Sequence, residues 1–596
     1  MNGKGQRVAG SGSLERHWRL WLLIFWSAAA VLLAYRQWNA IQWFALGDTD
    51  DNLRMMQVRG LLGGQDWFDL RQYRLDPPHG ANVHWSRLPD LPIAGIMLLL
   101  KPFMSGAAAE KIAVAFAPMI PMGIAMAATA VNVRRLVAPG AFALAIALLL
   151  CAHSTRGMWA PLRIDHHGWQ LALLSLVLLG LTDARRARGG LVAGLASAAS
   201  LAIGLELLVY LAAAGAVVAL MWVRDAGEAR RLATYGASLA GGTAFGYLVF
   251  ASYANRAPVC DALSPVWLSA MVAAGALGFL LTRVPAGSWQ ARLALAAAAG
   301  GVLAAFFALA WPHCLGRLEG VSPELYGMWL GNVREARPVY THGWQVIANV
   351  VALPAAGLIG YALMLWRVRR EPAALIPWAA TAFLAFIPCA LLLWQSRAGP
   401  AAQLLAVPGA TALAWLFIRW ALGVPNALVA AALSVVAFWL VSGLAVQQLP
   451  PLLEKPATGH VQAVNRANNL CPTLAALRPV ARVPRGYVLT HVDLGPRLVT
   501  VTHHDAVAGP YHRNQAAILD VMKSFRGSAD YARSVIARRG IGYVLICPGL
   551  SESTVYAKEA PKGFYAQLAA GRVPAWLQPV ALPRDSPYRM WRVVRR

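Results

Sequence analysis

What most constrains this chain is the recurrence of long apolar runs through its first 446 residues. They lie near residues 21–35, 111–131, 137–153, 168–182, 190–205, 206–222, 232–252, 266–282, 293–311, 344–366, 373–394, 401–420 and 427–446. Runs of this length match the hydrocarbon core of a bilayer, where a helix satisfies its own backbone hydrogen bonds. Composition agrees, with 58% apolar residues, 13% charged residues and a mean hydropathy of +0.50. A soluble domain of this size carries about 25% charged residues, and a disordered chain has low hydrophobicity. The net charge of +26 sits on few charged residues, whereas a nucleic-acid binder of such basicity would be charge-rich. The sequence therefore predicts a mainly α, polytopic protein whose partner is the lipid bilayer and not a nucleic acid.

Charge sets the sidedness. Lys4, Arg7, Arg16 and Arg19 precede the first run, and no small-residue cleavage site follows it. This predicts an uncleaved first helix with a cytoplasmic N-terminus. A further stretch, 91–104, is short and is interrupted by Lys101 and Pro102. If it does not span, five basic connections all fall in the cytoplasm: Arg134/Arg135, Arg185/Arg186/Arg188, Arg224/Arg230/Arg231, Arg283/Arg292 and Arg367/Arg369/Arg370. If it spans, all five fall outside. The positive-inside rule thus predicts thirteen transmembrane helices, with 91–104 interfacial or re-entrant. The odd count places residues 447–596 across the membrane from the N-terminus. That segment has 20 Lys and Arg against 8 Asp and Glu, a net of +12. Short β-rich runs (GYVLT, LVTVT, GYVLI) alternate there with helical stretches (NQAAILDVMKSF, YARSVIARRG), so it reads as a C-terminal soluble α/β domain in the periplasm. Its cysteines, Cys471 and Cys547, could pair in that compartment. Cys151 and Cys389 fall in apolar runs and read as core. An Ala- and Arg-rich chain of this kind fits a bacterial inner membrane.

In a chain with only 27 acids, their placement is informative. The first external loop, 36–90, contains Asp48, Asp50, Asp51, Asp66, Asp69, Asp76 and Asp90, with GDTDDNLRMMQVR at the helix exit. A second loop ends in Arg163-Ile164-Asp165-His166-His167. A third, 312–343, carries Glu319, Glu324 and Glu335. Carboxylates at helix edges facing one compartment suit Mg²⁺ or Mn²⁺, which prefer oxygen ligands. Arg397 lies at an outer helix mouth and suits a pyrophosphate. The same acids also fit solvated loops, Asp165 fits a helix N-cap, and Arg397 fits a helix-end anchor.

Together these residues resemble the catalytic subunit of oligosaccharyltransferase and its single-subunit bacterial and archaeal relatives, membrane glycosyltransferases of the GT-C fold. Asp48 and Arg54 match the family's first motif, an Asp six residues before an Arg. DPPHGANVHWSRLPDLP, with Pro78, Gly80, Trp85 and Pro89, is similar to the Pro-rich stretch that follows it. Asp165-His166-His167 matches the archaeal Asp-His-His. Asn332-Val333-Arg334-Glu335, with Pro338, resembles the external-loop motif ending in Glu, and Arg397 the late arginine. The resemblance covers roughly residues 20–400. It implies that residues 1–446 form the transmembrane catalytic domain and 447–596 the periplasmic one. It implies catalytic or acceptor-positioning roles for Asp48, Asp165 and Glu335, with His167 joining these three at a metal. It implies substrate binding by Arg54, Trp85, Arg397 and Asp493, and the polar, aromatic stretch around His512 adds that residue as a substrate-binding candidate.

Two departures bear on the acceptor. Asn332 stands where the family has Ser or Thr. The family's Trp-Trp-Asp-Tyr-Gly has only His491-Val492-Asp493-Leu494-Gly495 as counterpart, with both tryptophans missing. The polar stretches 503–505 and 509–514 fit an acceptor site or a packed loop. The leading expectation is metal-dependent sugar transfer from a polyprenyl-linked donor to a protein, glycolipid or polysaccharide on the extracytoplasmic face. The alternatives are a transporter or flippase for a lipid-linked or anionic solute, suggested mainly by Glu206 between two spans, and a non-catalytic scaffold or sensor.

Overall fold

A computed structural model of the chain describes residues 11–449 and 458–594. Lys4, Arg7 and the junction at 450–457 lie outside the described residues. Helix occupies every one of the thirteen apolar stretches: Trp18–Arg36, Met119–Leu136, Phe142–Cys151, His167–Leu181, Arg186–Ile203, Leu208–Arg224, Ala229–Phe250, Pro265–Leu281, Trp289–Ala310, Trp344–Val368, Pro372–Leu391, Gly399–Ala421 and Ala427–Val441. Among the described residues, six helical segments are long and apolar enough to cross a membrane: Trp18–Arg36, Gly106–Leu136, Trp289–Ala310, Trp344–Val368, Pro372–Leu391 and Ser396–Ala421. Small residues let the helices approach closely, as is usual where lipid supplies no hydrophobic drive. A Cβ on Gly360 would stand 1.9 Å from the Gly409 carbonyl, where Trp344–Val368 crosses Gly399–Ala421.

Residues 91–104 hold the 11-residue helix Asp90–Leu100, about 16 Å long at 1.5 Å per residue. It packs as a hairpin on Gly106–Phe116 and leaves Leu98, Leu99 and Phe103 exposed near its tip.

The C-terminal part holds a five-stranded sheet: β1 Tyr487–Leu489, β2 Asp505–Ala506, β3 Tyr543–Ile546, β4 Leu577–Pro579 and β5 Arg589–Val593, in the order β2-β1-β3-β5-β4. The β1–β2 and β1–β3 pairs are parallel; β5 is antiparallel to β3 and β4. GYVLT and GYVLI form β1 and β3, and the two expected helices are Gln515–Arg526 and Ala529–Arg539. LVTVT is not a strand. It closes the helix Gly495–Val501, whose Pro496 suits a first turn and whose residues 495–500 are all buried. Packing overrides β propensity there.

The first loop and this sheet share one core. Leu53, Met56, Leu75, Val83 and Trp85 cluster with Val488, Leu498, Ala506, Tyr511 and Leu545, and Leu75 bridges Ala506. Two disulfides form: Cys471–Cys547, and Cys260–Cys314, which ties the 251–264 connection to the third loop. Cys151 and Cys389 are free. Alkylation of the unfolded, unreduced protein is expected to label these two alone. Mass spectrometry detecting label on any of the other four before reduction would contradict the pairing.

Candidate active site

The site begins where the C-terminal domain grips the first loop. Arg497 Nη1 donates to the Phe44 carbonyl (3.0 Å) and to Asn52 Oδ1 (3.3 Å), and Thr500 Oγ1 donates to the Asn52 carbonyl (3.1 Å). These bonds fix the helix Thr49–Leu62, and Asp48 stands at its N-cap position with extended backbone. Its carboxylate does not cap the helix and is turned to other partners.

Those partners centre on Arg163. Its Nη1 lies 2.5 Å from Asp48 Oδ2 and 3.2 Å from Asp51 Oδ2, and its Nη2 lies 2.6 Å from Asp165 Oδ2. Asp51 Oδ1 accepts the Asp165 backbone N–H at 3.0 Å. Asp165 also takes the local role open to it at a helix start: its Oδ1 accepts the His167 N–H at 3.0 Å, while Oδ2 faces His167 Nδ1 at 3.2 Å.

Electrostatics divide the acids. Burial raises Asp165, but Arg163 and His167 outweigh it and hold the carboxyl far below its ordinary range. Asp48 is lowered by Arg163 in the same way, against the burial that opposes it. Asp50 is pushed well up by burial and by Asp48 and Asp165. Asp51 is raised by burial despite Arg163. Asp493 is raised by burial and by the Asp48 charge, which places the C-terminal domain's acid beside the cluster. The Asp493 side chain is exposed to solvent. Three of these carboxylates, Asp48, Asp51 and Asp165, share the Arg163 guanidinium.

A supporting layer lies behind. Arg54 is fully buried; its Nη1 donates to Asp90 Oδ1 (2.7 Å), its Nη2 lies 3.3 Å from His166 Nδ1, and its guanidinium stands 4.9 Å over the Trp85 ring. Trp85 is 2% exposed and packs on His166 and edge-on to Tyr511, whose hydroxyl donates to the Thr49 carbonyl at 3.0 Å. His166 Nε2 meets Glu206 Oε1 at 2.9 Å, and Gln170 Nε2 donates to Glu206 Oε2 at 2.7 Å. Glu206 is thus bound into this network.

The sequence-predicted residues fall into three places. Asp48, Asp165, His167 and Asp493 converge. Arg54 and Trp85 lie behind them, fully enclosed, and brace the site from there. His512 lies on a flank, its Nε2 2.5 Å from Asp261 Oδ2. Glu335 and Arg397 sit together elsewhere: Ser396 donates from its backbone to the Arg337 carbonyl (2.7 Å) and from its hydroxyl to that of Glu335 (3.3 Å). Both side chains are exposed, and among the described residues neither pairs with the Asp48–Asp165 cluster. Sequence reasoning passed over Arg163, although it stands two residues before Asp165. It also passed over Tyr511, whose signal was its polar, aromatic stretch, and over Asp261, which had no signal.

No protein-family model matches the sequence, and no curated protein matches it. Solved structures do match. The chain is similar to the archaeal oligosaccharyltransferase AglB from Archaeoglobus fulgidus in complex with an inhibitory peptide and a dolichol-phosphate. That match has a TM-score of 0.68 at 15% identity, over 95% of this chain and 73% of that one. It is similar to the same organism's oligosaccharyltransferase tethered with an acceptor peptide containing the NVT sequon (TM-score 0.65, 14% identity, 96% and 74%). It is also similar to that enzyme's complex with Zn and sulfate (TM-score 0.59, 15% identity, 88% and 67%). The chain has the GT-C fold: a helical membrane part with a C-terminal α/β domain.

Proposed function

We propose that this protein transfers a sugar or oligosaccharide from a polyprenyl-(pyro)phosphate donor to an acceptor on the extracytoplasmic face of a bacterial inner membrane. The observation that carries the reading is the convergence of Asp48, Arg163, Asp165 and Asp493, from three distant segments, in a fold shared with a lipid-dependent glycosyltransferase. Two disulfides on the same side fit an oxidising compartment.

The residues present fit a divalent cation. Asp48, Asp51 and Asp165 already pair with Arg163, and Asp50 and Asp493, whose carboxyls are raised, form no ion pair among the described residues. Asp48, Asp50 and Asp165, with His167, would hold the ion, which when bound would neutralise phosphate charge as the sugar departs. Arg163 would offer its N–H groups to the same phosphate. Asp48 or Asp165 would orient the acceptor and take its proton as the anomeric carbon leaves phosphate oxygen for the acceptor atom. Arg397, held beside Glu335 through Ser396, would bind the donor pyrophosphate. Asp493 and Tyr511 line the acceptor side in place of the missing sequon-reading tryptophans.

Purified protein incubated with bacterial membranes and a labelled polyprenyl-linked sugar tests this. Label is expected in a new acceptor, with loss of transfer in EDTA and recovery with Mg²⁺ or Mn²⁺. Label that only changes leaflet, insensitive to EDTA, would mean a transporter.

A further inference from the structure

On the flank of the acid cluster three side chains meet from three parts of the chain. His84 comes from the first loop, Asp261 from the 251–264 connection next to the Cys260–Cys314 disulfide, and His512 from the C-terminal domain. One potential ligand atom from each lies within 4.8 Å of the others. Their side chains are 17%, 9% and 12% exposed, shielded but reachable. The two imidazoles stand 4.8 Å apart between ring centres. Glu206 Oε1, 3.8 Å from His84 Nε2, adds a fourth donor.

We propose that His84, Asp261 and His512 bind a Zn²⁺-class cation at a site separate from the Asp48–Asp165 acids. Two imidazoles and a carboxylate form a borderline nitrogen/oxygen donor set, which suits Zn²⁺ or a neighbouring transition metal better than the oxygen-seeking Mg²⁺ or Mn²⁺. Tetrahedral zinc with bonds of about 2.0–2.1 Å spaces its ligands by roughly 3.3 Å, so small rotations of these side chains close the set. The His512–Asp261 contact of 2.5 Å opens to admit the ion. The fourth position falls to water or to Glu206.

The layer outside these ligands is already built. Arg513 Nε and Nη2 donate to Asp261 Oδ2 (2.8 Å) and Oδ1 (2.6 Å), and its Nη1 donates to Asn255 Oδ1 (2.7 Å). Such partners orient a ligating carboxylate. Because Arg513 neutralises Asp261, the nearby Glu206 charge is what favours a dication. The other His/Cys grouping among the described residues, Cys260, His313 and Cys314, is spent on a disulfide. The ion would clasp the first loop, the 251–264 connection and the C-terminal domain together beside the acid cluster. The proposal does not depend on the transferase reading.

The test uses the full chain in detergent, stripped with a chelator and titrated with Co²⁺ and then Zn²⁺. The Asp48→Asn/Asp165→Asn double variant is expected to retain one Co²⁺ per chain, with the intense visible absorption of a low-coordinate, imidazole-bound ion, and to lose it to Zn²⁺. His84→Gln/His512→Gln should weaken that binding by at least about 100-fold. Failure of the Asp48/Asp165 variant to retain an ion, or unchanged affinity in the histidine variant, overturns the proposal. If the Asp48/Asp165 variant fails to fold, the unaltered chain compared with His84→Gln/His512→Gln decides: one fewer tightly bound Co²⁺ in the histidine variant supports the site and an equal count overturns it; if the histidine variant fails to fold, His84→Asn alone replaces it with the same two outcomes.

Discussion

Asp165→Ala is expected to lower sugar transfer by about 10³-fold or more, the range lost when a positioned acid–base group or a charge-stabilising contact is removed. Asp165 is where the cluster is knotted: one oxygen holds the start of its helix through the His167 N–H, and the other binds Arg163 and faces His167 Nδ1. Without it, Arg163 stays on Asp48 and Asp51, and His167 loses the group that aims it. Asp48→Ala should fall in the same range, because Asp48 is the member of the Arg163 trio with the most open carboxylate, 41% exposed. Rates with a labelled polyprenyl-linked donor, measured on variants that elute and unfold like the unaltered protein, provide the check. Near-normal transfer in both would remove the acid cluster from the chemistry.

The second large effect is on stability. Arg54 and Asp90 form an ion pair at 2.7 Å with both side chains fully buried. Cutting one partner from a pair so enclosed leaves an uncompensated charge and costs about 3–5 kcal/mol. Asp90→Leu, which strands Arg54, is expected to destabilise by that amount; Arg54→Met costs less, because Arg87 Nη1 still lies 3.7 Å from Asp90 Oδ2, and the double variant costs clearly less than the sum. Arg54→Met should also depress transfer, since Arg54 supports both the Trp85 ring and His166. Denaturation of the four proteins in one detergent gives the cycle; strictly additive losses would show that the pair does not act as a unit. Asp90 and Arg54 therefore do different work from the acids around Asp48, although the sequence presents them alike.

That contrast marks how far the residues could be read. Apolar run lengths located thirteen helical stretches because a helix in lipid must be both long and apolar. Lys101 and Pro102 mark the end of the short helix at 91–104. GYVLT and GYVLI revealed two strands, while LVTVT misled because burial on the Asn52 helix outweighed its β propensity. Asp48 and Asp165 were visible through spacing at helix ends.

Their meeting was not visible. Asp48 and Arg163 lie 115 residues apart, with Asp493 far beyond both, and only chain folding decides whether such groups meet. No spacing rule joins Asp261 to His84 and His512, or sets Glu335 and Arg397 on a segment apart from the acids. The sequence by itself determined a polytopic helical chain and a short roster of acids, because hydrophobic length and local charge act along the chain. The tertiary structure alone decided which acids share one guanidinium, which are buried as braces and which histidines face a common point. Those outcomes depend on through-space distance and on burial, which sets how strongly each charge is felt.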